Sequence, residues 1–249
     1  MPPILFNNLT EKDKSDAVKK LIQESSPRAD FFLMVILSVL MATFGLLLNS
    51  DSVVIGSMLI APILFPILSV SLGVTMSDFK LIYRSLYTLL KYVIYGIFAS
   101  AVVTLFFKAD PSVNSSQSLL ISLKPSLIYI AIAIVAGIAA SFSMVKPRLS
   151  EILPGVAISV ALIPPLAATG IGIAHFNWNI ISNSFMLLAI NFIGVIFASM
   201  MVFSLMNLYL KRQVAQLAIA REDKDIKREI QEAKERTEEN SYKKNTYDA

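Results

Sequence analysis

The sequence predicts an all-α integral membrane protein. Its six transmembrane helices form two inverted three-helix repeats, with the second and fifth helices broken by proline. Three observations predict this. Charge is segregated: of 22 Lys+Arg and 18 Asp+Glu, residues 1–30 hold 5 and 5, residues 211–249 hold 10 and 9, and the 180 between hold only 7 and 4. The chain is 16% charged and 55% hydrophobic, whereas soluble domains carry about 25% charged residues, so that middle cannot face water. The middle also divides into six continuous apolar segments, each near the roughly 20 residues that cross a hydrocarbon core. Finally, a shift of 99 residues lays the first three segments on the last three without a gap.

The N-terminal segment, 1–30, is polar and is not expected to be a cleaved signal peptide. Within it, 9–25 reads as a short amphipathic helix. Thr10 and Asp13 have the spacing of a capping pair, and Val18, Leu21 and Ile22 form an apolar face suited to a membrane interface. The membrane domain, 31–210, contains segments 31–48, 52–73, 85–107, 125–145, 152–174 and 183–210. They are continuous rather than alternating, which favours helices over strands. Repeat one is 31–107 and repeat two 125–210. The tail, 211–249, is rich in helix formers and in opposite charges at helical spacing to about Glu239, with a thin stripe of Val214, Leu217, Ile226, Ile230 and Ala233. Its last ten residues read as disordered.

Orientation follows from Lys and Arg in the short loops. With the N-terminus cytoplasmic, the inside carries Arg28, Lys80, Arg84, Lys146 and Arg148, and the outside only Lys108 and Lys124. Both termini then lie inside. A rival arrangement makes 52–73 and 152–174 re-entrant hairpins, and it reverses this bias.

In the 99-residue repeat, Gly56 falls on Gly155, Pro66 on Pro165, Gly73 on Gly172, Ser85 on Ser184, and Phe98-Ala99-Ser100 on Phe197-Ala198-Ser199. Asp51 falls on Ser150, both good caps before a span. Matched Gly and Pro breaks in opposed repeats are the sequence mark of a transporter binding site. Pro62 and Pro66 interrupt the second span, and Pro164 and Pro165 the fifth. Each proline lacks an N–H and frees the carbonyl one turn earlier, and lipid cannot satisfy that carbonyl. The breaks should therefore face the interior, with second half-helices starting near Pro66 and Pro165. The alternative is a kinked helix whose freed carbonyls are met by Ser57, Ser159 or a neighbouring helix. Ser57, Pro62, Pro66, Ser159, Pro164, Pro165, Thr169, Gly170 and Asn191 are the candidate substrate-binding residues, with helix–helix bonding the alternative role for Asn191. Asp51, Lys91 and Glu151 are gate candidates. Helix-end stabilisation is the alternative for the two acids, and snorkelling to the interface for Lys91.

The stretch from Asp51 through Pro62 to Pro66-Ile67, and that from Glu151 through Pro164-Pro165 to Gly170, resemble the hydrophobic prokaryotic family catalogued as domain of unknown function 389. The resemblance covers roughly 31–210. It implies a multi-pass protein of a prokaryotic cytoplasmic (inner) membrane and supplies no substrate.

With no Cys and one His, thiolate and histidine metal sites are excluded. No nucleophile–base pair or phosphate loop is visible, so neither an enzyme nor a cofactor is expected. Interleaved acids and bases give no nucleic-acid patch. The expected partners are the lipid bilayer, a small solute or ion, and further copies of the chain in a homo-oligomer. Two function classes remain: a transporter or channel for a small solute, with an anion as one candidate, or a non-transporting membrane scaffold acting through its cytoplasmic tails. No Asp or Glu lies mid-span, which tilts the first class toward neutral or anionic cargo.

Overall fold

The computed structural model describes residues 10–107, 126–146, 149 and 162–247, with side chains to 236. Its described residues form helices and connecting turns. Helix α1 (Glu11–Glu24) opens on a full capping box. The Asp13 N–H donates to Thr10 Oγ1 at 3.1 Å, and the Thr10 N–H donates to the Asp13 carboxylate at 3.1 Å. The apolar face of α1 does not lie in lipid. Val18, Leu21 and Ile22 are buried, and α1 packs on helices that come later in the chain. Lys211 Nζ, 2.8 Å from Glu11 Oε2, helps tie α1 down and holds the Glu11 carboxyl below its usual range.

Among the described residues, four helices are long and apolar enough to cross a membrane: α2 (Ala29–Leu47), α5 (Phe79–Phe107), α6 (Leu127–Val145) and α8 (Trp178–Leu205). The second expected segment is divided between α3 (Asp51–Met58) and α4 (Leu64–Thr75). Of the fifth, the described part is α7 (Ile163–Ala174); its first half, with Ser159 and Glu151, lies outside the described residues. Helices α4 and α7 have 12 residues each. At about 1.5 Å per residue they reach about 18 Å, short of the roughly 30 Å hydrocarbon core. After a 3₁₀ turn at Leu208–Lys211, helix α9 runs from Arg212 to Tyr247, past the point near Glu239 where the sequence pattern ends it.

Side-chain contacts fix how these rods run. Arg84, near the start of α5, donates to Ser26 Oγ, just before α2, at 3.1 Å. Both helices therefore start at one end of the bundle, here called the base. They stay parallel: Gly96 of α5 approaches Val39 of α2, and four residues on Ser100 meets Thr43. The chain from Leu48 to Asp78, including α3 and α4, must then return from the far end to the base. Helices α6 and α8 are parallel in the same sense, with Ala133 against Gly194 and Gly137 against Ala198. Helix α8 ends at the 3₁₀ turn that packs on α1 and α9, so α6 and α8 both run toward the base.

Tail helix α9 is pinned to the base by ions. Arg28 lies 3.0 Å from Glu222 and 3.4 Å from Glu229, while Lys80 and Arg84 each lie 3.4 Å from Asp223. Asp78 joins them. Buried to 3% exposure, it caps α5 through the Leu81 N–H at 3.1 Å and accepts from Gln216 Nε2 at 3.0 Å. Arg212 Nε stands 3.8 Å from the same carboxylate oxygen.

Candidate functional site

The interior is organised around α4 and α7. Every residue of α7 except Ile173 is buried, and α4 is buried from Pro66 through Gly73. Each packs on the long helix that follows it and on the equivalent helix of the other half: α4 on α5 and α8, α7 on α8 and α5. The sequence arranges this with proline and small residues. Proline lacks the N–H that a first helical turn leaves unbonded, so it can open a helix without loss. Pro66 is the third residue of α4, and Pro164 and Pro165 are the second and third of α7. Helices α4 and α7 thus start beside these prolines, in registers 99 residues apart.

Their exits match too. After α4, the Asp78 N–H donates to Gly73 O at 2.9 Å across Ser77 at φ 51°; after α7, the Asn177 N–H donates to Gly172 O at 2.9 Å across Phe176 at φ 52°. This is the Schellman closure, with a left-handed residue after the helix. Glycine is required at both corners, because a Cβ on Gly73 would lie 2.8 Å from Ile82 Cγ1, and one on Gly172 would lie 2.9 Å from Ile181 Cγ1. Asp78 and Asn177 then cap α5 and α8. Every member of one corner is 99 residues from its counterpart.

The equivalence explains one buried defect. Ser85 Oγ donates to Ser69 Oγ at 2.9 Å, but the buried Ser184 hydroxyl has no partner among the described residues. Ser184 is the counterpart of Ser85, and the counterpart of Ser69 is Ala168. Ala168→Ser is expected to restore the bond and stabilise the protein by about 1 kcal/mol, read as a higher unfolding midpoint in detergent. A lower midpoint would mean that the second corner lacks the room of the first.

The candidate binding residues fall into distinct local roles. Ser57 donates its hydroxyl to Val54 O at 2.6 Å within its own helix, and its carbonyl accepts from Ser38 Oγ of α2 at 2.6 Å. Ser38, which the sequence pattern does not single out, thus meets this carbonyl from the neighbouring helix α2. The Leu59 and Ile60 N–H groups tighten the end of α3 onto Gly56 O and Ser57 O. Pro62 lies half-buried in the connection. The Thr169 hydroxyl donates to Pro165 O at 2.8 Å, one turn back. Gly170 sits at the tightest helix crossing, where an added Cβ would lie 2.5 Å from Ser100 Cβ and 2.7 Å from Ile97 O. Ser100 binds this crossing by donating to Ala167 O at 2.7 Å, while Thr43 meets Ser100 Oγ at 2.9 Å. Asn191 is buried in α8.

Two gate candidates, Asp51 and Lys91, fall within the described residues. Asp51, expected as a cap, is the first helical residue of α3 and is exposed; Ser50 holds the cap position. An acid there suits the helix dipole. Lys91 does not face the bundle interior. Its ammonium lies 4.3 Å above the Tyr87 ring and lines a lateral groove between α2, α5 and α9. Tyr92, beside it in sequence, points the other way and is fully buried against Phe32.

A profile of the family described as "Domain of unknown function (DUF389)" matches residues 58–197, which take in α4 through most of α8. The chain belongs to the DUF389 family. The match begins at the last residue of α3 and takes in α4, α7 and the turns that follow them. The chain is also 30% identical over 215 residues to the uncharacterized protein MJ0678 of the archaeon Methanocaldococcus jannaschii, over 82% of this chain and 65% of that protein. The chain therefore spans about two-thirds of that relative's length. No solved structure matches.

Proposed function

We propose that this DUF389 chain is a transporter or channel for a small solute, built as six crossings in two inverted three-helix repeats. The observation that carries the reading is the pair of interior helices α4 and α7, equal in length, opened by proline and 99 residues apart. Each is too short to cross alone. Interrupted helices at matched positions of opposed repeats are how many transporters build a site near mid-membrane. The directions of the rods support the six-crossing count. Helices α2 and α5 leave the base while α6 and α8 return to it, so the two halves run oppositely. The Ser26–Arg84 contact weighs against a re-entrant 52–73, which would put those residues on opposite sides. In this reading the base is cytoplasmic, by its Lys and Arg, and the membrane is the prokaryotic cytoplasmic one.

The cargo class follows from the helix starts. Half-helix N-termini favour anions. Yet Pro164 and Pro165 remove two of the four free N–H groups that would open α7, which weakens the anion reading on that side. A small neutral solute fits both breaks, and a weakly held anion fits the α4 side. The small-residue faces that suggest self-association are used within the protomer: Gly96 and Gly170 close the α5–α7 contact, and Gly137 and Gly194 the α6–α8 contact. Homo-oligomers would then form through lipid-facing side chains or through α9.

The test is flux through the purified chain in liposomes, screened over small neutral solutes, anions and cations. Flux of one class is expected, and Pro165→Ala should abolish it while the protein remains inserted. Absence of flux in every class, with partners captured on α9, would favour the scaffold reading instead.

A further inference from the structure

We infer that the groove between α2, α5 and α9 is a binding site for the headgroup of an anionic phospholipid. The inference is independent of solute transport and needs only that the long apolar helices lie in a bilayer.

The groove encloses about 670 Å³. Its floor is the start of α2 (Arg28, Phe32, Leu33) and the middle of α5 (Lys91, Tyr95), and its roof is α9 (Ile226, Glu229, Ile230, Ala233). Helix lengths set its depth. The 29 residues of α5 span about 43 Å, more than the roughly 30 Å of hydrocarbon. About 20 residues counted back from Phe107 reach Thr88. Lys91 then lies about one turn inside the boundary, within reach of the headgroups by snorkelling. Helix α2, with 19 residues, fits the core alone, which places Arg28 at the boundary. Both cations therefore stand at headgroup level, with Tyr87 beside Lys91 and Tyr95 in the lining, as interfacial aromatics sit.

The walls are those a lipid needs. Leu33 on α2, 56% exposed, and Tyr95 on α5, 48% exposed, line the groove with Ile36 and leave an open apolar track for acyl chains. Roof residues Ile226, Ile230 and Ala233 recur at helical spacing toward the groove, so this part of α9 lies over the headgroups with its apolar side down. The charges do not balance. Arg28 and Lys91 face one carboxylate, Glu229, which with Glu222 already pairs Arg28. No ion pair forms to Lys91 among the described residues; only the Tyr87 ring meets its ammonium. A lipid phosphate at Lys91 supplies the missing anion, and a headgroup of net negative charge is favoured over a zwitterionic one.

The test uses the full chain in detergent micelles titrated with single lipids, with bound lipid counted by native mass spectrometry. Phosphatidylglycerol should be retained in preference to phosphatidylcholine and phosphatidylethanolamine, and inorganic phosphate should not displace it. Lys91→Met should weaken phosphatidylglycerol retention by about fivefold, the usual contribution of one basic residue at an anionic surface. Lys91→Arg should restore it, and Lys224→Met on the outer side of α9 should leave it unchanged. Should Lys91→Met fail to fold, Lys91→Gln takes its place. Equal retention of all three lipids, or undiminished phosphatidylglycerol binding in the Lys91 variants, overturns the inference. Displacement by free phosphate would instead assign the groove to a soluble anion.

Discussion

Gly170→Ala is expected to lower the unfolding midpoint more than any other single-methyl change in the membrane domain. The added Cβ would stand 2.5 Å from Ser100 Cβ and 2.7 Å from Ile97 O. Neither atom is the free end of a flexible side chain, so α5 and α7 must separate. Separation would lengthen the Ser100 bond to Ala167 O, which holds the two helices together. Overpacking of this kind costs about 1–3 kcal/mol. Gly56→Ala is the control. Its Cβ would approach only the mobile Met41 Cε, at 3.3 Å, and alanine is the better helix former by about 1 kcal/mol. Thermal unfolding in detergent compares the pair. Equal midpoints would mean that the α5–α7 crossing is looser than its geometry implies. A flux defect in Gly170→Ala would then have to be separated from this packing loss, which makes Pro165→Ala the cleaner probe of the break.

The second large effect is expected at Asp78. Its carboxylate caps α5 and receives Gln216 and Arg212 of α9, so one side chain couples the start of a membrane helix to the tail. Asp78→Ala removes the cap, worth about 1 kcal/mol, and leaves the tail's donors without their acceptor. Hydrogen exchange should quicken in the first turns of α9 and at Leu81. Asp78→Asn keeps a good cap residue and an acceptor for Gln216 but loses the charge facing Arg212. It should fall between wild type and Asp78→Ala. Unchanged exchange in α9 on Asp78→Ala would show that Arg28, Lys80 and Arg84 hold the tail unaided.

Much of the site was legible because proline and glycine act locally. Pro66 and Pro165 cannot sit in a helix interior without freeing a carbonyl, so their placement at helix starts could be read directly. Gly73 and Gly172 were visible as matched positions, although the sequence did not say that an isoleucine one turn into the next helix is what excludes a Cβ. Asp78 escaped notice. It is one of few acids in the middle of the chain, but its burial depends on Gln216, 138 residues away. A signal did exist, since its counterpart 99 residues on is Asn177, another good cap, at the start of α8. Ser38 and Thr43 gave no signal, because a lone hydroxyl in an apolar helix bonds its own backbone or a neighbour equally well.

The sequence by itself determined that this protein is helical, that its middle is apolar enough for a membrane, and where α4 and α7 begin. Those properties depend on composition and on residues within a turn of one another. Tertiary structure decided which polar groups remain available. The Ser57 and Thr169 hydroxyls bond carbonyls of their own helices, and Lys91 lies in a lateral groove. The apolar face of α1 rests on protein instead of lipid. A side chain's freedom depends on what other helices bring to it, and in a bundle those helices come from positions far apart in the chain.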